Sequence, residues 1–154
     1  MKMNENIVSD KKYVVFKLED EFYGIDINNV RAIEKAQDFT RVPNAKSHIK
    51  GVINLRGEVV PIIELRKRFG LSEKEIDSNS RIIIVFLNEI QVGMLVDSSS
   101  EVIEFNTEDL DSAPSSIDTA YEDFVKCIGK KDGRLIILLS TEKVIGIQES
   151  EENN

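Results

Sequence analysis

Hydrophobic residues in this chain fall in short runs rich in valine and isoleucine, broken by glycine, asparagine or acidic residues. Such runs, bounded by turn formers, predict strands over 12–18, 22–27, 31–35, 51–56, 59–63, 81–87, 91–96, 102–105, 124–128 and 135–139. Glu19-Asp20-Glu21 reads as a three-residue hairpin connection, and Arg56-Gly57-Glu58 and Asp132-Gly133-Arg134 as tight glycine turns. Pro61 lies inside a strand-like run, which predicts an edge strand or a bulge. Helical signals are brief. Ala45 to Ile49 follows a potential Asn44 cap, Ile63 to Phe69 stops at Gly70, and Thr141 to Val144 makes one more turn. None can form a helical layer, so the pattern predicts an all-β fold of barrels or a sandwich.

The chain also echoes itself. Val14 to Leu18, a polar turn and Gly24-Ile25 match Ile83 to Leu87, a polar turn and Gly93-Met94, with equal spacing to the glycine. Val52 to Ile63 around Gly57 matches Ile128 to Leu139 around Gly133. Two hairpin-rich halves repeated in order predict two similar small β-barrels, intertwined subdomains over approximately 12–80 and 81–147, between a flexible N-terminus (1–11) and an acidic tail (148–154).

Composition narrows the function. The chain has 154 residues and a formal net charge of −8, which disfavours general binding to nucleic acid or anionic lipid. No apolar run approaches the roughly 20 residues that span a bilayer, so membrane insertion is not expected. A single cysteine, Cys127, excludes an internal disulfide framework and suits a reducing cytosol. His48 is the only histidine, with no cysteine or carboxylate cluster spaced to join it on a metal. Cys127 has no histidine nearby in sequence and reads as a core thiol rather than a nucleophile. Asp97-Ser98-Ser99-Ser100-Glu101 lacks the glycines of a nucleophile elbow and reads as a loop entering a strand. Phosphate-binding glycine loops are absent, and Glu19-Asp20-Glu21 and Glu108-Asp109 read as solvated turn carboxylates. The sequence therefore offers no catalytic residue, metal or cofactor, and points to binding.

The segment Gly51-Val52-Ile53-Asn54-Leu55-Arg56-Gly57 is the most distinctive. Asn54 and Arg56 alternate with Ile53 and Leu55, so the polar pair projects from one face. An arginine beside a glycine turn suits a protein carbonyl or carboxylate, or equally an ordinary surface salt bridge. With Pro61 and Glu64-Leu65-Arg66 after it, this segment resembles the hallmark of the CheW family of chemotaxis coupling proteins. Phe69-Gly70-Leu71, Gly93-Met94-Leu95-Val96-Asp97 with Glu101-Val102, and Asp132-Gly133-Arg134-Leu135-Ile136 follow in the family's order, and the likeness covers about 12–146.

The resemblance implies two five-stranded SH3-like β-barrels around a shared hydrophobic core and no catalysis. It implies a cytoplasmic adaptor, a monomer when free, recruited to receptor arrays at the inner face of the membrane. There it would join the tips of methyl-accepting chemotaxis receptors to the regulatory domain of the histidine kinase CheA, a domain of the same fold, with kinase and adaptor alternating through pseudo-equivalent barrel ends. Family positions that bear on receptor binding match Val30, Gly51, Arg56 and Val102, with Ile33, Asn54 and Gly57 as neighbours. Val30 and Val102 could instead be core residues. No residue is assigned to the kinase surface. The family's usual glutamate in its V-x-E-I segment is Ala32 here, with Glu34 two residues on. Regulatory domains of kinases, coupling–receiver fusions and ligand-binding barrels are the competing classes; a start at Met1 and an acidic ending argue against the first two, and the lack of a polar cluster against the third.

Overall fold

The computed structural model describes residues 11–43, 49–112 and 123–146. The strands are β1 (Lys11–Leu18), β2 (Glu21–Asp26), β3 (Val30–Lys35), β4 (Ile49–Leu55), β5 (Glu58–Glu64), β6 (Arg81–Leu87), β7 (Ile90–Val96), β8 (Ser98–Phe105), β9 (Leu110–Asp111), β10 (Val125–Lys131) and β11 (Arg134–Leu139). Two short helices, α1 (Leu65–Arg68) and α2 (Thr141–Ile145), follow β5 and β11.

The strands form two sheets. Sheet I has the order β8-β1-β2-β11-β10-β9, and sheet II has the order β3-β6-β7-β5-β4. Each closes on itself, because the chain leaving its first strand returns to pair with its last. In sheet II, Thr40 bridges Val52 of β4. In sheet I, β9 pairs with β10 at Asp111–Ile128 and Leu110–Gly129. The fold is thus two SH3-like barrels, as the residue pattern and the resemblance led us to expect.

Neither sheet is drawn from one half of the chain. The β1–β2 hairpin sits among β8 to β11, and the β6–β7 hairpin sits among β3 to β5, so the two repeats exchange their hairpins. With the repeats aligned, β1 corresponds to β6, β2 to β7, β3 to β8, and β4–β5 to β10–β11. The sheets then have the same strand order, related by a pseudo-twofold. The repeated glycines show why the echo is kept. A Cβ on Gly24 would lie 2.7 Å from Leu138 Cδ2, and one on Gly93 would lie 2.7 Å from Ile62 Cδ1. Both glycines stand where a hairpin strand runs parallel to its partner, at Leu138–Gly24 and Ile62–Gly93. Only a residue without a side chain lets the barrel interior close there.

The core has three parts. Tyr13, Val15, Ile103, Phe105, Ile136 and Leu138 fill barrel I. Ile53, Val60, Ile62, Ile82, Ile84 and Leu95 fill barrel II. A larger cluster, including Phe16, Tyr23, Ile63, Phe69, Ile83, Met94 and Val144, joins the outer faces of the two sheets. Period-2 alternation explains the division, since successive residues of β1 and β6 serve a barrel interior and the shared core in turn.

Several local expectations change. The β1–β2 turn has two residues, Glu19 and Asp20, because Leu18 pairs directly with Glu21. Pro61 lies in β5, between β7 and β4, so it is neither on an edge nor at a bulge. It fits because its partner Val52 spends its own N–H and C=O on Thr40 and pairing with β7 starts only at Ile62, leaving no ladder bond for Pro61 to break. The segment 98–101, expected as a loop, is already strand, with a register shift opposite Val15 and Phe16. The first helix is shorter than expected, since 63 and 64 remain extended in β5. The helix expected over 45–49 falls mostly outside the described residues, and Ile49 begins β4. His48, residues 1–10 and the tail beyond 146 also lie outside them.

Candidate docking surfaces

The hallmark segment builds a rigid corner at one end of barrel II. The Asn54 side chain accepts a hydrogen bond from the Gly57 N–H at 2.9 Å. Arg56 and Gly57 both have positive φ, +52° and +88°, the pairing a two-residue type I′ hairpin turn requires. Arg56 is thereby held out into solvent, in the turn itself rather than in the strand, and no hydrogen bond or ion pair engages it among the described residues. Ile53 points the other way, into the barrel II core, as the alternation predicts.

Gly51 is buried and makes no surface of its own. A Cβ there would meet the Thr40 carbonyl oxygen at 2.4 Å and the Phe39 ring at 3.1 Å. It is the residue that lets the 39–40 segment lie against β4 and close barrel II.

Strand pairing brings further residues to the Arg56 end. Val30 opens β3 opposite Val85 near the end of β6, and is half-buried against the shared core. Of the alternatives left open for Val30, the core contact is present, with the side chain partly open. Arg31, the extra residue of a register shift in β3, hydrogen-bonds Gln91, whose amide donates to Glu58 at 2.8 Å. Phe86 and Glu89 complete an open hollow with these three polar residues. Val30, Asn54, Arg56 and Gly57 thus gather at one barrel end. Ile33 lies further along β3, 44% exposed. Val102 is on the other sheet, in β8, 53% exposed opposite Val14. Ala32 is half-buried against the barrel II core, so a contact carried by a glutamate at that position has no counterpart in this chain.

Sequence reasoning missed the most exposed aliphatic residues, Val59 at 70% and Leu135 at 63%. They are pseudo-equivalent, each the second residue after its turn glycine in β5 and β11. Each stands on the outer face of its barrel, where Ile63 and Leu139 further along the strands enter the shared core. Ile33 and Val102 are pseudo-equivalent too, in β3 and β8. The signal was available in the repeat, because a valine and a leucine beside a polar turn match at one offset. Their surroundings differ. On the face that carries Val59, Ile90 is exposed as well, whereas the matching position beside Leu135 is Glu21.

Among the described residues no group of three or more histidine, cysteine or acidic side chains could hold a metal. Cys127 is half-buried against the barrel I core, and burial pushes its thiol up, away from the thiolate. No helix among the described residues is long and apolar enough to cross a membrane.

Two closed barrels with paired, exposed aliphatic positions and rigid turns define a scaffold of the protein-binding class. The chain belongs to the CheW-like domain family, which matches residues 12–149. It is 37% identical to the chemotaxis protein CheW of Bacillus subtilis over 149 residues, 97% of this chain and 96% of that one. It is 30% identical to the chemotaxis protein CheW of Thermotoga maritima, over 94% of each chain. In three dimensions it resembles the crystal structure of the scaffolding protein TtCheW from Thermoanaerobacter tengcongensis, with a TM-score of 0.80 and 37% identity over 88% of this chain and 92% of that one. The role is that of a chemotaxis adaptor.

Proposed function

We propose that this chain is a non-enzymatic, cytoplasmic adaptor that holds the receptor tip and the regulatory domain of the kinase CheA at the same time. The observation that carries the reading is that its exposed aliphatic residues come in pseudo-equivalent pairs. Val59 and Leu135 stand at matching margins of the two barrels and suit two like partners, such as kinase regulatory domains that share this fold. Ile33 and Val102 form the second pair, one on each barrel; Ile33, with Val30 and Arg56, supplies an apolar surface with a cationic rim for a helical receptor hairpin, and Val102 stands at the matching place on barrel I. Asn54 and Gly57 hold Arg56 in place, and Gly51 acts from beneath by closing the barrel.

Coupling by such a protein is geometric. It needs no pocket and no proton transfer, only two partners held in fixed relation so that the state of one biases the other. The test is isothermal titration with the regulatory domain of the organism's own CheA and, separately, with a receptor-tip hairpin. Val59→Asp should weaken kinase binding and spare receptor binding, and Arg56→Ala should do the reverse. Absence of binding by the wild-type protein to either partner, at concentrations well above micromolar, would refute the reading.

A further inference from the structure

The shared core and the exchanged hairpins keep the two barrels in contact, and aliphatic packing itself is largely non-directional. Directional ties exist beside it, and the largest group of them is gathered around α1. Arg66, only 7% exposed, donates to Asp97 from Nε at 2.9 Å and from Nη2 at 2.8 Å. Its Nη1 donates to Glu19 Oε2 at 2.7 Å and to the Ser72 carbonyl at 2.7 Å. Asp97 also accepts from the Glu19 N–H at 2.9 Å, and its own N–H reaches the Lys17 carbonyl at 3.1 Å. Glu19 and Lys17 belong to the β1–β2 hairpin of barrel I, α1 follows β5 of barrel II, and Asp97 is the residue between β7 of sheet II and β8 of sheet I.

Two residues on, Arg68 makes a second crossing. It donates to the Val144 carbonyl at 2.9 Å and the Lys143 carbonyl at 3.1 Å, at the C-terminal end of α2, with its guanidinium 5.1 Å from the Phe124 ring centre. Phe69 completes the insertion, 5.6 Å from Tyr23 of β2 and 5.2 Å from Phe124. The repeat does not supply this by default. At the positions of Arg66 and Arg68, the pseudo-equivalent helix α2 has Glu142 and Val144. One copy of the helix carries the arginines, and the other offers the carbonyls.

We infer that α1 is a clamp setting the orientation of barrel II relative to barrel I, with Arg66 as its positioning residue and Arg68 as its second jaw. A guanidinium that satisfies a carboxylate bidentately and a second one at once tolerates little rotation. The docking margins at Val59 and Leu135 lie on different barrels, so the clamp sets the angle between bound partners. That consequence rests on the adaptor reading, whereas the clamp itself does not.

The test uses the whole chain with spin labels on Glu89→Cys in barrel II and Glu104→Cys in barrel I, in a Cys127→Ser background, read by pulsed electron double resonance. The wild type should give one narrow inter-label distance. Arg66→Met should broaden that distribution about twofold while circular dichroism and a single cooperative melt persist, and Arg66→Lys should recover part of the narrowing. Unchanged width and mean in folded Arg66→Met and Arg68→Met proteins would overturn the clamp. If Arg66→Met does not fold, Glu19→Gly with Arg68→Met carries the test. It leaves the Arg66–Asp97 pair intact, suits the positive φ of residue 19 (+56°), and removes only side-chain ties to barrel I. Broadening supports the clamp, and an unchanged distribution overturns it. A wild type that failed to bind the kinase domain would remove the adaptor reading without touching these distances.

Discussion

The two barrel margins share a strand order and a turn but not a surface. At the Val59 margin two apolar side chains, Val59 and Ile90, reach solvent from the outer face of sheet II. At the Leu135 margin one apolar residue is exposed, and the local arginine is already committed. Arg134 donates to Glu101 at 2.7 and 3.2 Å and lies 4.9 Å from the Phe22 ring centre. The bond from Arg134 holds the Glu101 carboxyl below its ordinary value. Both margins carry polar ties, Gln91 to Glu58 on one and Arg134 to Glu101 on the other, but only Val59 has a second exposed aliphatic residue beside it on its face.

The largest effect should come from a charge at the open margin. Val59→Asp is expected to lower affinity for the kinase regulatory domain about thirtyfold or more, as for an anchor residue, with thermal stability unchanged. Leu135→Asp should cost a few-fold. Equal losses in the two titrations would break the asymmetry. Next comes barrel closure, where Gly51→Ala forces a Cβ against the Thr40 carbonyl and should destabilise the fold by about 2 kcal/mol in urea unfolding. Gly57→Ala, open in space but at positive φ, should cost less, about 1 kcal/mol. Arg56→Ala is expected to shift stability by no more than about 0.5 kcal/mol while weakening binding of the receptor hairpin about tenfold, because the side chain is exposed and unpaired.

The smallest effect is one of pH. Burial pushes the Asp97 carboxyl up, but the Arg66 guanidinium and the Glu19 amide overcome this and hold it below the usual carboxylate value. A depressed folded-state pKa contributes stability that is complete above the unfolded value, near 4, and is lost as pH falls toward the folded value. Unfolding free energy should therefore decline below about pH 4, and Asp97→Asn should flatten that decline. An equally steep decline in Asp97→Asn would remove Asp97 from the account.

Much of this was legible in the chain because it is local. Alternation of valine and isoleucine with polar residues marks nearly every strand, and the repeated glycines mark both hairpin pairs. Arg56 could be read as presented at a turn because the turn chemistry lies within four residues of it. What depended on distant partners could not be read. The barrels were expected to be intertwined, but which hairpins are exchanged rests on the parallel pairings of β2 with β11 and β5 with β7, which leave no trace in periodicity. Pro61 misled for the same reason, because a missing N–H matters only where a partner strand is waiting. Arg66 and Asp97 were each visible as motif residues, but a buried ion pair declares itself only when both ends are placed. Val59 and Leu135 looked like ordinary strand residues until the shared core ended short of them.

Kinase and receptor are proposed to dock at separate places, so that both are held at once. This is tested most directly by titrating a receptor-tip hairpin into the protein already saturated with the kinase regulatory domain. The account predicts binding of the hairpin with essentially the affinity seen for the free protein, and a three-component complex by sedimentation. Displacement of the kinase domain by the hairpin would contradict it.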